Sequence, residues 1–271
     1  MTVVVVGDVM ADVVARHADP LAHGSDTPAE VSLRGGGAGG NVASWLGDRA
    51  RLVGRVGADA LAAVATDGGR LACAVDPARP TGVCVVLVGA DGERTMLPDP
   101  GANVELEAPP AGGLGGPADI VYVSGYALLR RSTRAAALAW LEAARAAGAR
   151  TVVDPASAAP LAADLEAFDG VRCDLLLPNA AEAAVLGDRL WAIAPEVVVK
   201  RGSEGVEWTD GARSLRVPAA PAAVRDTTGA GDAFAAGLLS AWGSAPVERA
   251  LEAGVALAAR AVATDGGRPP R

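Results

Sequence analysis

The chain has 271 residues, 51% of them hydrophobic, and its 24 Lys+Arg against 32 Asp+Glu give a formal net charge of −8. That length supports a core needing no disulfide or metal, and the acidic balance argues against a general nucleic-acid binder, which carries a basic surface. Charged residues at 21% argue against disorder, and aromatics at 3% leave Ala, Val and Leu to fill the core.

Residues 2–6 form a short β-branched run ending at Gly7 and Asp8, which reads as a buried strand passing into a loop; no secretory leader is expected. Residues 51–53 read as another strand. Residues 81–88, the turn Asp91-Gly92 and residues 94–97 read as a hairpin. Together, segments of about 13–34 and 80–103 are expected to form a small β lid on an α/β body, with residues 108–117 as the Pro/Gly-rich return. Further strands are expected at 120–123, 151–153, 175–177 and 197–199, with helical stretches such as 133–147 and 180–186 between them. That alternation argues for a single α/β domain over 1–271, three-layer α/β/α, with a mostly parallel central sheet. In such sheets ligands collect beyond the carboxyl ends of the strands. The uncharged stretch 233–247 is too short to span a membrane. Cys73, Cys84 and Cys173 have no CxxC spacing and read as small hydrophobes in a reducing, cytoplasmic compartment, while His17 and His23 are not spaced as a helical metal pair.

Four motifs carry chemistry. In Asp226-Thr227-Thr228-Gly229-Ala230-Gly231-Asp232, followed by an apolar helical run, small residues let the chain turn and present N–H groups at a helix start. Asp232 then sits in the first turn, where a carboxylate can take a proton from an attacking hydroxyl; a plain acidic first turn is the alternative. The run Gly35 to Gly40 with Asn41 suits a small polyol, or else a flexible turn with an Asn cap, and it does not follow a strand as a dinucleotide fingerprint does. Asn179 and Glu182 lie three apart at a strand-to-helix junction, which by itself reads as a capping box. Lys200, Gly202 and Gly205 follow a strand as a Gly-x-x-Gly turn, whose plain reading is a hairpin with solvated charges.

The segment DTTGAGDAFAAG resembles the second signature of the PfkB carbohydrate kinase family, the ribokinase-like kinases, and the other three motifs follow in the family's order. The resemblance implies that Asp232 is the catalytic base and that the backbone of Gly229, Ala230 and Gly231 forms the anion hole. It implies that Gly37, Gly40, Asn41 and Asp12 line the sugar pocket, with Asn103 and Tyr126 at its border. Glu182, in an N-x-x-E motif with Asn179, would order water bound to Mg²⁺, whose retained hydration suits an indirect carboxylate contact. Lys200, where the family usually has Thr, would lie with Gly202 and Gly205 on the ATP loop. Ala256 would stand on a helix lying flat against adenine, and Asp226 and Thr228, with backbone near Gly267, match a monovalent-cation (K⁺) site. The stretch after Asn41 is shorter than the family's, so its helix is expected to end at Gly47-Asp48.

The expectation is ATP- and Mg²⁺-dependent phosphorylation of a sugar hydroxyl by a homodimer joined through the lids, with neither nucleic acid nor membrane as partner. The alternatives are an adenosine-like nucleoside kinase, which the scarcity of aromatics disfavours, and a non-catalytic sugar or nucleotide sensor, which the intact Asp232, Asn179 and Glu182 disfavour.

Overall fold

Val3–Val6 (β1) is four valines at 0% exposure, the fully buried strand that an unbroken apolar run implies. The computed structural model describes residues 1–111, 113–116 and 118–270. After β1 come Met10–Arg16 (β2), Glu30–Gly36 (β3), the helix Ala38–Leu46 (α1), Ala50–Val53 (β4) and Arg55–Gly57 (β5). Leu61–Ala65 (α2), Ala74–Asp76 (β6), Gly82–Val88 (β7) and Arg94–Asp99 (β8) complete the first part. Ile120–Ser124 (β9), Gly125–Leu129 (α3), Arg131–Ala146 (α4), Arg150–Asp154 (β10), Ala158–Ala163 (α5), Leu175–Leu176 (β11) and Ala180–Leu186 (α6) then alternate. Arg189–Ile193 (α7), Glu196–Lys200 (β12), Val206–Thr209 (β13), Ser214–Val217 (β14), Ala230–Leu239 (α8) and Val247–Val262 (α9) follow.

Eight strands form one sheet in the order β14-β13-β12-β11-β10-β9-β1-β4, parallel from β12 to β4 and antiparallel at β13 and β14. Alternate residues of each strand point to opposite faces, so the sheet carries two cores. Val4, Val6, Val121 and Val153 pack with Trp140 and Leu141 of α4. Val3, Val5 and Tyr122 pack with Phe234 and Leu238 of α8 and Leu251 of α9. Helices therefore cover both faces, as the strand–helix alternation implied.

The stretches that break the alternation make a separate four-stranded sheet, β3-β2-β7-β8. Its hairpin turns where expected: the Gly89 N–H donates to the Glu93 carbonyl at 3.1 Å, and Gly92 has φ 80°. On one face Met10, Val14, Cys84, Val86 and Val88 form a buried cluster, and by strand register Asp12, Arg16 and Arg94 share that face. On the other, Val31, Leu33 and Leu97 are 62%, 54% and 55% exposed. Strand β2 starts at Met10, so Asp12 stands on a strand of this sheet and not in the loop leaving β1.

Helix α1 ends at Gly47, as short as expected, but it begins at Ala38 with Gly37 as its cap. Asn41 is therefore inside the first turns and caps nothing. Gly39 and Gly40 are tolerated in a helix despite a cost of about 1 kcal/mol each relative to Ala, because neighbours approach closely. A Cβ on Gly39 would stand 2.5 Å from the Gly7 carbonyl carbon, and one on Gly40 would stand 2.4 Å from Arg268 Nη2. Of the return expected over 108–117, Gly112 and Pro117 lie outside the described residues. Among the described residues no helix is long and apolar enough to cross a membrane. The three cysteines are free, Cys84 and Cys173 buried and Cys73 half-buried.

Candidate active site

Helix α8 opens at Gly229, which holds φ 69° and packs so closely on the C-terminal segment that a Cβ would lie 2.5 Å from Gly267 Cα. Only glycine satisfies both demands. Among the described residues no side chain caps this end. The N–H of Ala230 donates to the Thr227 carbonyl at 3.3 Å, while those of Gly229, Gly231 and Asp232 have no acceptor among the described residues. The helix thus presents unspent donors at the positive end of its dipole.

Asp232 sits in the first turn, and burial pushes its carboxyl up to about 7. The amide of Asn41, which donates to Asp232 Oδ2 at 2.8 Å, works the other way. Asp154 and Asp12 add to the rise and Lys200 opposes it. Asn41 is oriented in turn by Arg268, whose Nε donates to Asn41 Oδ1 at 3.3 Å. The buried Arg268 guanidinium also donates to the carbonyls of Gly36 at 2.6 Å and Ala65 at 2.8 Å, and to Asp67 at 2.8 Å. Asp12 makes no hydrogen bond among the described residues; burial raises its carboxyl to about 6, with Arg268 pulling it back. One line of groups, Asp12, Arg268, Asn41 and Asp232, thus links the small sheet to α8.

Tyr126 is the second residue of α3, at the end of β9; burial lifts its phenol to about 12, Ser157 opposing and the charges of Asp232, Asp8 and Asp154 adding to the rise. Asn103 does not fit the expected sugar contact. Its Oδ1 accepts from the Val9 N–H at 2.9 Å, and its Nδ2 donates to the carbonyls of Val9 at 3.0 Å and Pro100 at 2.9 Å. The amide is spent on clipping the β1–β2 connection. Arg130 closes the same corner on Asp8, at 2.8 and 3.2 Å.

At the end of β12, Lys200 Nζ lies 2.5 Å from Asp154 Oδ2. Burial works against its charge, but Asp154 and Glu182 more than offset this and hold the ammonium above its ordinary value. A Cβ on Gly231 would stand 3.4 Å from that Nζ, so the cation borders the start of α8. Asn179 and Glu182 form a full capping box: the Asn179 N–H and Nδ2 donate to Glu182 at 2.8 and 2.6 Å, and the Glu182 N–H returns a bond to Asn179 Oδ1 at 2.9 Å. Glu182 is 1% exposed, and burial, with Asp154 adding, raises its carboxyl above the ordinary value despite Lys200. Among the described residues no cluster of three or more His, Cys, Asp or Glu is arranged to hold a metal.

Beside Lys200 lies an apolar groove of about 480 Å³, lined among others by Gly202, Gly205, Phe234, Val255, Ala258 and Val262. Ala256 is exposed and does not line it, contrary to expectation. Residues 255, 258 and 262 follow the spacing of a single helix face, and 256 is turned about 100° from it.

Asp226 is saturated with donors. Its Oδ1 accepts from the Thr228 N–H at 2.9 Å, the Thr228 hydroxyl at 2.6 Å and Arg94 Nη1 at 3.1 Å. Its Oδ2 accepts from Arg16 Nη2 and the Gly266 N–H, both at 3.1 Å. Burial alone would raise this carboxyl, but Thr228, Gly266 and Arg94 together hold it below its ordinary value. That donor set does not fit the monovalent cation expected on Asp226 and Thr228. Sequence reasoning missed Arg16, Arg94, Arg130 and Arg268, whose partners lie 122 to 232 residues away in the bonds described here. No local signal marks such pairs.

Solved structures of similar shape place this architecture among the ribokinase-like folds. A probable sugar kinase protein from Rhizobium etli CFN 42 matches with a TM-score of 0.86 at 24% identity, over 100% of this chain and 95% of that one. Adenosine kinase from Sinorhizobium meliloti gives 0.84 at 25%, over 100% and 96%, and ribokinase from Thermotoga maritima gives 0.78 at 23%, over 100% and 97%. Among curated proteins, the ATP-dependent ribose-1-phosphate kinase of Halopiger xanaduensis is 32% identical over 88% of this chain and 86% of its own length. The bifunctional protein HldE of Rhodopseudomonas palustris (strain HaA2) is 32% identical over 98% of this chain, which spans only 60% of that relative's length. The family model described as pfkB family carbohydrate kinase matches residues 1–271, and the chain belongs to that family.

Proposed function

We propose that the protein transfers the γ-phosphoryl group of ATP to a hydroxyl of a small sugar. The observation that carries this reading is the position of Asp232, half-buried in the first turn of α8 beside unspent helix N–H groups, with a carboxyl raised to about 7 by desolvation. An acceptor hydroxyl held between Asp12 and Asp232 would give its proton to Asp232 as it attacks phosphorus. The N–H groups of Gly229 and Gly231 would hold the transferring oxygens, with the Lys200 ammonium alongside. The groove beside Gly202 and Gly205 would take the base of the nucleotide. Glu182 and Asp154 supply hard carboxylate oxygens, and because Glu182 is buried and already bonded to Asn179, it would reach Mg²⁺ through water. Bound with ATP, that ion would neutralise charge on the β and γ oxygens. The small sheet would act as a lid, and the exposed Val31, Leu33 and Leu97 on its outer face suit a second copy of the chain.

A specific observation favours a nucleoside acceptor as the second reading: the inner face of the small sheet is an apolar wall of Met10, Val14, Cys84 and Val86 with Asp12 set in it. Hydroxyls on Asp12 and a flat base on that wall would satisfy both. ADP release screened over sugars, sugar phosphates and nucleosides separates the two. ATP turnover indifferent to every acceptor would instead favour a sensor, and full activity of Asp232→Asn would sink the mechanism.

A further inference from the structure

We infer that Arg16 and Arg94 replace a dissociable cation at Asp226 and act as positioning residues for the N–H groups at the start of α8; this rests on the phosphoryl-transfer reading above. A carboxylate offers about four lone-pair sites, and Asp226 already meets five donors. A cation would have to evict a guanidinium to bind. Arg94 also does what an alkali ion cannot. Its Nη1 meets both Asp226 Oδ1 and Thr228 Oγ1, at 3.1 and 2.8 Å, and its Nη2 meets Thr227 Oγ1. One planar fork therefore holds three consecutive residues immediately before Gly229.

Both arginines ride on the small sheet, Arg16 at the end of β2 and Arg94 at the start of β8, whereas the loop they hold belongs to the body. Asp12 lies on β2 as well, on the same face as Arg16 and roughly 13 Å along the strand. An acceptor gripped by Asp12 thus seats the strand that delivers Arg16. Ordering of the phosphoryl-binding loop follows from occupation of the acceptor side, a link that an ion recruited from solution would not provide.

The test compares wild type, Arg94→Gln, Arg94→Lys and Arg16→Gln in KCl and in choline chloride of equal ionic strength. Melting is measured without ligand, and ADP release with the acceptor that the screen identifies. Wild type should melt alike in both salts, while Arg94→Gln should gain about 3 °C in KCl as the vacated carboxylate binds the ion. Wild-type turnover should differ less than about twofold between salts. In choline, Arg94→Gln should lose about 30-fold in kcat with KM for ATP within about threefold, part of the loss returning in KCl. Arg94→Lys should restore charge without the fork and recover less than half of the loss. Wild type stabilised or activated several-fold by KCl over choline would overturn the inference, as would Arg94→Gln with wild-type kcat in choline. Melting needs no catalysis, so it decides the cation question even if the kinase reading fails. If Arg94→Gln does not fold, Arg16→Gln, which keeps the three-residue clasp, carries the same comparison.

Discussion

Asp226 and Asp232 stand six residues apart around one helix start, yet their carboxyls are driven in opposite directions. Five donors surround Asp226, so hydrogen bonds and Arg94 outweigh burial and keep it ionised. Among the described residues Asp232 has one donor, Asn41, and burial wins, bringing it to about 7. Burial alone does not decide a carboxyl's state; the number of donors facing it does. The first arrangement suits a strut and the second the base proposed above.

The largest test is to remove the base. Asp232→Asn should lose about 10³-fold in kcat while keeping its fold by circular dichroism. The same variant checks the sign of the shift. A folded-state value raised to about 7 contributes stability that is complete below the unfolded value and is lost as pH rises through 7. Asp232→Asn should therefore melt above wild type at pH 8 and lose that advantage near pH 4. Removing the strut should cost less activity and more stability. Asp226→Asn leaves two guanidiniums without their anion, and should lose about 2 kcal/mol, allowing for screening at the partly exposed arginines, with about a tenfold loss in kcat.

A smaller effect separates the two carboxyls by pH. The profile of kcat/KM should rise with an inflection near 7, and Asn41→Leu should move that inflection upward, because the lost donor had been lowering Asp232. An unmoved inflection would assign the titration to another group. The smallest effect is a control on the groove proposed for the nucleotide: Ala256→Glu should leave KM for ATP within about twofold, whereas Ala258→Glu, on the lining face, should raise it by about tenfold or more.

How much of this was legible in the sequence depended on distance along the chain. The six parallel strands of the large sheet announce themselves as short apolar runs, whereas β13 and β14, with charged and polar residues at alternate positions, were not read; α6 and the Asp91-Gly92 turn fall where local chemistry put them. The placement of Gly229 and Asp232 at a helix start was legible because turn and helix belong to one contiguous segment. Asp12 was placed near the site but on the wrong element, since Met10 to Asp12 has too few residues to show a strand's period. Ala256 failed on helical phase: it stands four residues after Glu252 and four before Arg260, so it shares the charged, outward face of α9. Asn103 has the chemistry of a ligand contact, and only the structure shows that backbone consumes it. The arginines were invisible for a simpler reason: a guanidinium's partner cannot be read from its neighbours.

The bond between Arg268 and Asn41 spans 227 residues, and that between Asn41 and Asp232 spans 191. Closing loops of this length costs chain entropy before any contact repays it. The parallel core can condense from neighbouring strand–helix units, but the line from Asp12 to Asp232 is complete only when residues near 268 dock under α1. Activity should thus return on refolding later than helical content does, and a chain caught with its large sheet formed would hold every residue proposed for catalysis without yet being a catalyst.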